Sequence, residues 1–261
     1  MKLATAIVVL LLVASSTFAG MKTQTIEYMV GDTTCRGYLA YDDSTDAKRP
    51  GVIVIHEWWG LTDYPKRRAE QLAQLGYVAF CPDMFGDGKT TSDPKEAEKL
   101  ITELGKIPDV AAARRQAAFD ELKKQPQVDA TRIGAMGYCF GGAQALAMAR
   151  SGMDLKGVVS FHGALATDAP AKKDAVKAKI LVCHGAADPM VTPLHVMDFE
   201  KEMDAAGADW QVNIYAKALH AFTNPDADKF KIPGIGYNAE ADRRSWEAMQ
   251  IFWEESFGGT K

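Results

Sequence analysis

Arg132-Ile133-Gly134-Ala135-Met136-Gly137-Tyr138-Cys139-Phe140-Gly141-Gly142 is the stretch whose reading decides the fold. Its first half is apolar and β-prone, its second half opens an Ala-rich helical run to Arg150, and Gly137 and Gly141 flank Cys139 at the junction. A strand that turns sharply into a helix strains the apex backbone and brings its neighbours so close that they have no room for Cβ atoms. The pattern is Gly-x-nucleophile-x-Gly with cysteine at the apex. A helix starting there aims its unpaired N–H groups at the sulfur, which favours thiolate and offers a donor to a developing oxyanion. Read blandly, the same residues are a buried cysteine in a glycine-rich turn, so the rest of the chain must decide.

On either side of this stretch the chain alternates short β-rich runs with helical periodicity. Strands are expected at Gly51–Ile55, Tyr77–Phe80, Arg132–Met136, Gly157–Phe161, Ile180–Val182 and Gln211–Tyr215. Helices are expected at Pro65–Leu75, Val110–Lys124, Gly141–Arg150, Pro193–Ala206 and Ala241–Glu255. Nearly continuous apolar strands joined by helices predict an α/β fold, with a mostly parallel central sheet and helices on both faces. An antiparallel pair, Thr23–Met29 and Cys35–Tyr41 around Gly31-Asp32, is expected to open the sheet.

Composition limits the partners. The chain has 261 residues, 47% of them apolar and 25% charged, with a formal charge of −4. This suits a globular protein and leaves no basic run for nucleic acid or an anionic membrane. Lys2 and the apolar segment Leu3–Ala14, followed by Thr17-Phe18-Ala19, read as a signal peptide over residues 1–19, with one domain at 20–261. The alternative is a retained anchor. Cleavage implies a periplasmic or secreted protein with no membrane contact afterwards. Of the four cysteines, Cys81 and Cys183 close apolar runs and read as small buried hydrophobes. With Cys139 set aside, Cys35, Cys81 and Cys183 allow at most one disulfide.

In a parallel sheet the ligand site lies beyond the carboxyl ends of the strands. Those ends carry His56-Glu57-Trp58-Trp59, Cys81-Pro82-Asp83, Cys139, His162, His184 and, further on, His220. Asp188, before Pro189, follows a strand end, and His220 follows the last strand. Nucleophile, acid and histidine thus occur in the order used by hydrolases with this elbow. Alone, Asp188 would be a turn or cap residue and His220 a surface or core histidine.

Together, Val54-Ile55-His56-Glu57-Trp58-Trp59-Gly60-Leu61, Ala79-Phe80-Cys81-Pro82-Asp83, Gly137-Tyr138-Cys139-Phe140-Gly141-Gly142, Gly185-Ala186-Ala187-Asp188-Pro189 and His220-Ala221-Phe222 resemble the dienelactone hydrolase (carboxymethylenebutenolidase-like) family of α/β-hydrolases, over about Gln24 to Phe257. The resemblance implies an α/β-hydrolase fold and hydrolysis of an ester or lactone through an acyl-thioester. It implies Cys139 as nucleophile, His220 as base and Asp188 as its partner. It further implies that Glu57 contacts the resting thiol and helps activate it, and that the N–H groups of Trp58 and Phe140 form the oxyanion hole. No cofactor or metal is implied. The partner is a small-molecule ester or lactone, and the chain is expected as a monomer or weak dimer.

The sequence departs from this pattern where the family binds a substrate carboxylate with arginines. Met84-Phe85-Gly86-Asp87-Gly88 follows Pro82-Asp83, and Asn224 stands four residues beyond His220. Without bidentate clamps a small dianionic lactone loses its orienting contact, so a different or broader substrate range is expected. Lys89, Arg243 and Arg244 are the other cations considered. Trp59, Phe85, Phe222 and Tyr237 are expected to line the pocket, and residues 223–240 to form a loop over the histidine. Two rivals remain: a metal site built from His56, Glu57, His162 and His184, which lacks ligand spacing, and a non-catalytic ligand-binding protein on the same fold.

Overall fold

The computed structural model describes residues 20–258, so the expected leader lies outside the described residues. β1 (Met21–Val30) and β2 (Thr33–Asp42) form the expected antiparallel pair, turning at Gly31, whose φ of 59° suits a residue without Cβ. The remaining strands are β3 (Arg49–Ile55), β4 (Val78–Cys81), β5 (Val128–Tyr138), β6 (Gly157–Phe161), β7 (Lys179–Gly185) and β8 (Trp210–Tyr215). They join one sheet in the order β1-β2-β4-β3-β5-β6-β7-β8. β2 runs antiparallel to β4, and every pairing from β4 through β8 is parallel. The chain winds from β3 outward to β4, then returns to place β5 on the other side of β3. That reversal puts a crevice beyond the ends of β3 and β5.

Helices α1 (Asp63–Gln74), α2 (Pro94–Gly105), α3 (Pro108–Lys123), α4 (Phe140–Arg150), α5 (Pro193–Ala206) and α6 (Ala239–Phe257) complete the described chain. Successive side chains of a strand point to opposite faces. Ile53 and Ile55 of β3 accordingly enter a core with Leu122 of α3, Leu146 of α4 and Phe199 of α5. Val52 and Val54 enter a second core with Leu72 of α1 and Trp253 of α6. Helices therefore cover both faces, as expected. On the second face the Trp253 indole packs closely against the sheet. A Cβ added at Gly134 of β5 or Gly157 of β6 would stand 2.7 or 2.8 Å from it.

Two features differ from the sequence expectation. β5 begins at Val128, with an irregularity opposite Pro50 and Gly51 where its pairing to β3 shifts register. Helix α2 was not anticipated, although Asp93 caps it by accepting from the Lys95 N–H at 2.9 Å and Pro94 opens it. Among the described residues no helix is long and apolar enough to cross a membrane.

Candidate active site

Cys139 sits at the junction of β5 and α4 with φ 53°, a left-handed backbone that L-residues rarely adopt. The two flanking glycines explain how the turn closes. A Cβ at Gly137 would lie 2.1 Å from the Gly141 carbonyl oxygen, and one at Gly141 would lie 2.2 Å from that of Ile55. The apex is pinned by the Cys139 N–H, which donates to the Phe161 carbonyl at 3.0 Å and also approaches His162 Nδ1 at 3.1 Å. His162 Nε2 in turn pairs with Thr223 Oγ1 at 2.7 Å, which also accepts from the Tyr64 hydroxyl at 2.7 Å. Beneath this chain the buried guanidinium of Arg68 donates to the Thr223 carbonyl at 2.8 Å and pairs with Asp242 of α6.

Asp188 lies in the turn after β7. Its Oδ1 accepts the backbone N–H groups of Met190 (2.8 Å) and Val191 (3.2 Å), and its Oδ2 pairs with His220 Nδ1 at 2.8 Å. Burial works against its charge, but the His220 hydrogen bond and the two amides hold the carboxyl below its ordinary range. His220 follows β8 and is fixed through its backbone. Its N–H donates to the Gly234 carbonyl and its own carbonyl accepts from Gly236, both at 3.0 Å. With Nδ1 committed to Asp188, Nε2 is left to face Cys139. Burial disfavours the imidazolium, yet the Cys139 sulfur and Asp188 outweigh it and push the His220 pKa up to about 10. A hydrogen bond between the Cys139 sulfur and the ring contributes to that rise.

Cys139 and His220 border one cavity of about 330 Å³. Its wall is apolar, formed by Ile101 of α2, Ala143 of α4, Met190, Val191 and Ile235, with Trp58 and Phe140 beside the sulfur. Among the described residues, the N–H groups of Trp58 and Phe140 donate to no protein acceptor. They are free to meet an oxyanion.

Four aromatic expectations are corrected. Trp59 stacks on Phe230 with centroids 4.1 Å apart, Phe85 packs behind Phe140 and His56, Phe222 is fully buried beneath His162, and the Tyr237 hydroxyl donates to Asp242. None of the four borders the Cys139 cavity. Each is drawn to another aromatic or polar partner, and aliphatic residues supply the wall instead. Of these, Ile235 lies in the loop expected over His220, whereas Ile101 belongs to α2, a helix outside the sequence expectation. The Leu100-Ile101 pair and Leu104, at helical spacing after the Asp93-Pro94 cap, carried the signal.

Glu57 is buried at the end of β3, but its hydrogen bond comes from Asn224 Nδ2 at 2.7 Å. The expected contact with the resting thiol is absent from the hydrogen bonds of the described residues. Asn224, where the family pattern has an arginine, thus serves Glu57 rather than substrate. Burial pushes the Glu57 carboxyl up to about 7, against the opposing pull of Asn224 and the charge of His220. The other cations considered are also engaged elsewhere: Lys89 pairs with Asp87, Arg243 with Glu247 and Arg244 with Glu240. His56 is held between the Glu57 carbonyl and the Met84 N–H. Among the described residues no three His, Cys, Asp or Glu side chains gather to hold a metal. All four cysteines are free thiols.

A doubly covered, mostly parallel sheet with a strained cysteine elbow over a histidine and an aspartate defines an α/β-hydrolase. Comparison with known proteins narrows the class. The model of the dienelactone hydrolase family matches residues 35–257, and the chain belongs to that family. It is 33% identical over 238 residues to "Protein usf" of Aquifex pyrophilus, covering 89% of this chain and 98% of that one. A solved dienelactone hydrolase-like promiscuous phosphotriesterase from metagenomic libraries is 38% identical, with a TM-score of 0.86 over 91% of this chain and 99% of its own. The dienelactone hydrolase of Anabaena variabilis, 23% identical with a TM-score of 0.61 over 88% of this chain and 98% of its own, shares the fold. Membership makes the chain a hydrolase of the ester or lactone type acting on a small molecule.

Proposed function

We propose that this chain cleaves neutral short-chain carboxylic esters or lactones, with Cys139 as nucleophile, His220 as base and Asp188 as the group that orients the histidine. One observation carries the reading: the strained Cys139 apex and the Asp188-held His220 ring border the same apolar cavity. His220 Nε2, which its raised pKa equips to hold a proton at neutral pH, takes up the thiol proton before the sulfur attacks the carbonyl carbon. The carbonyl electrons move to oxygen, where the Trp58 and Phe140 N–H groups receive the charge. Collapse expels the alkoxide, which takes the proton from His220 and leaves a thioester. Water, deprotonated by His220, then attacks that thioester and releases the acid, and the thiol recovers its proton.

Glu57 tunes this chemistry from beside His220. Its carboxylate, present above about pH 7, supports the imidazolium, and its neutral form does not. Apart from His220, whose charge is paired with Asp188, the wall holds no counter-charge for a substrate carboxylate close to the sulfur, which favours uncharged groups there. The metagenomic relative's description as a promiscuous phosphotriesterase agrees with this, since phosphate triesters are neutral.

The test is hydrolysis of 4-nitrophenyl butyrate by wild type and Cys139→Ala, together with alkylation by iodoacetamide. A loss of about 10³-fold or more is expected in the variant, with a wild-type adduct on Cys139. Equal rates and an unalkylated Cys139 would favour a ligand-binding protein on a hydrolase fold.

A further inference from the structure

The cavity at Cys139 does not end at its apolar wall. Ile101 and Phe140 also border a second cavity of about 380 Å³, which is lined further by Leu104, Arg115 and Gln144. Arg115, on α3, is half-buried at this second cavity and donates to Gln144 Oε1 at 2.6 Å. Its guanidinium meets no carboxylate within ion-pairing distance among the described residues. Arg68, Arg150 and Arg132 each find one, in Asp242, Glu202 and Asp129, whereas the buried Arg49 and Arg114 donate to the backbone carbonyls of Thr45 and Met84 instead. What sets Arg115 apart is that it borders a cavity: it is a partly shielded cation there with a neutral partner, and burial lowers its pKa. Asp168 also borders the space, exposed and beyond ion-pairing distance of the guanidinium.

We propose that the second cavity is a subsite for a terminal carboxylate on the acyl chain of an elongated ester, with Arg115 as the residue that binds it and Gln144 as its support. This rests on the Cys139 ester-hydrolase reading and extends its substrates from neutral short-chain esters to longer acyl chains with a charged far end. The acyl side is assigned because the leaving oxygen must face its proton donor, His220, whose neighbours Met190, Val191 and Ile235 line only the first cavity. The Arg115 cavity opens on the other side, past Phe140 and Ile101. Gln144 lies five residues beyond Cys139, about 7.5 Å along the axis and partway round the helix, so an acyl chain of roughly six carbons or more is the length that would enter the second cavity past the shared Phe140 and Ile101. A small lactone carboxylate next to the reacting carbonyl would fall short, consistent with a preference for uncharged groups in the first cavity.

The experiment compares 4-nitrophenyl hexanoate with mono-4-nitrophenyl adipate, which differ by the terminal carboxylate. In wild type the adipate ester is expected to have a KM lower by about tenfold or more, the scale of one charge-assisted hydrogen-bonded pair. In Arg115→Ala the ratio of kcat/KM for adipate ester over hexanoate ester should fall by a similar factor, carried by KM, and Arg115→Lys should restore part of it. Raising salt should weaken the adipate preference. Equal KM values in wild type, or an unchanged ratio in Arg115→Ala, would overturn the subsite while leaving ester hydrolysis intact. If neither ester turns over, the failure lies in the hydrolase reading. Calorimetry on Cys139→Ala then decides the subsite separately, because monomethyl adipate should bind at least about tenfold more tightly than methyl hexanoate, and equal binding contradicts it.

Discussion

One oxygen of Asp188 takes the His220 ring while the other takes two backbone N–H groups, so the residue is at once the turn-former that its position before Pro189 suggests and the partner of the histidine. Asp188→Asn separates the two tasks. The amide oxygen can keep the Met190 and Val191 bonds, but its NH₂ donates to Nδ1 and drives the ring proton onto Nε2, the wrong tautomer for a base facing a thiol. We expect kcat for 4-nitrophenyl butyrate to fall by about 10²- to 10⁴-fold with an unchanged thermal melt. A fall of less than threefold would remove Asp188 from the mechanism. Residues with this kind of constraint were legible in the sequence. Gly137 and Gly141 announce a close backbone crossing, and that crossing fixes Cys139 between them. The pocket wall was not legible, because an aromatic after a strand end is drawn equally to core, stack or cavity. Trp59 took a stack on Phe230 and Phe222 took the core.

At the level of elements, α1 and α6 are tied together under Cys139. Arg68 of α1 pairs with Asp242 of α6 and holds the Thr223 carbonyl, and the Thr223 hydroxyl holds His162, which meets the Cys139 N–H. The pair is almost wholly shielded, with side-chain exposures of 8% and 14%. Arg68→Met would keep much of the volume but strand the Asp242 carboxylate and the Thr223 carbonyl. Loss of about 3–5 kcal/mol of stability is expected in urea denaturation, and a loss under 1 kcal/mol would show that the pair is dispensable. Restoring balance with Arg68→Met/Asp242→Leu should recover part of it. The central strands and covering helices could be read from apolar runs and helical spacing. The long-range tie could not, since Arg68 and Asp242 each sit among polar neighbours of an amphipathic helix and look solvated. Helix α2 is hard to read from sequence for a different reason: only Ala97 and Leu104 are buried, so its apolar stripe is narrow, and it borders the cavities rather than building the sheet.

Across the whole molecule, the topological switch between β3 and β5 gathers Glu57, Cys139, His162, Asp188 and His220 from strand ends far apart in sequence, and the cost of gathering them appears as pH dependence. Glu57 is buried with its carboxyl raised from 4.5 to about 7. The folded chain therefore holds a proton that the unfolded chain releases, and that advantage is full below pH 4.5 and lost as pH rises through about 7. Relative to Glu57→Gln, wild-type stability should decline by about 3 kcal/mol across this window, a figure set by the shift of the carboxyl. Parallel unfolding curves at pH 4 and pH 8 would contradict the burial argument. The central claim, that Cys139 carries the acyl group, is tested most directly by stopping wild-type turnover of 4-nitrophenyl butyrate with acid within the first turnover and measuring the mass of the peptide containing Cys139. The account predicts a butyryl adduct on Cys139 that decays as hydrolysis proceeds. Turnover with that peptide unmodified, or with the adduct on another residue, would contradict it.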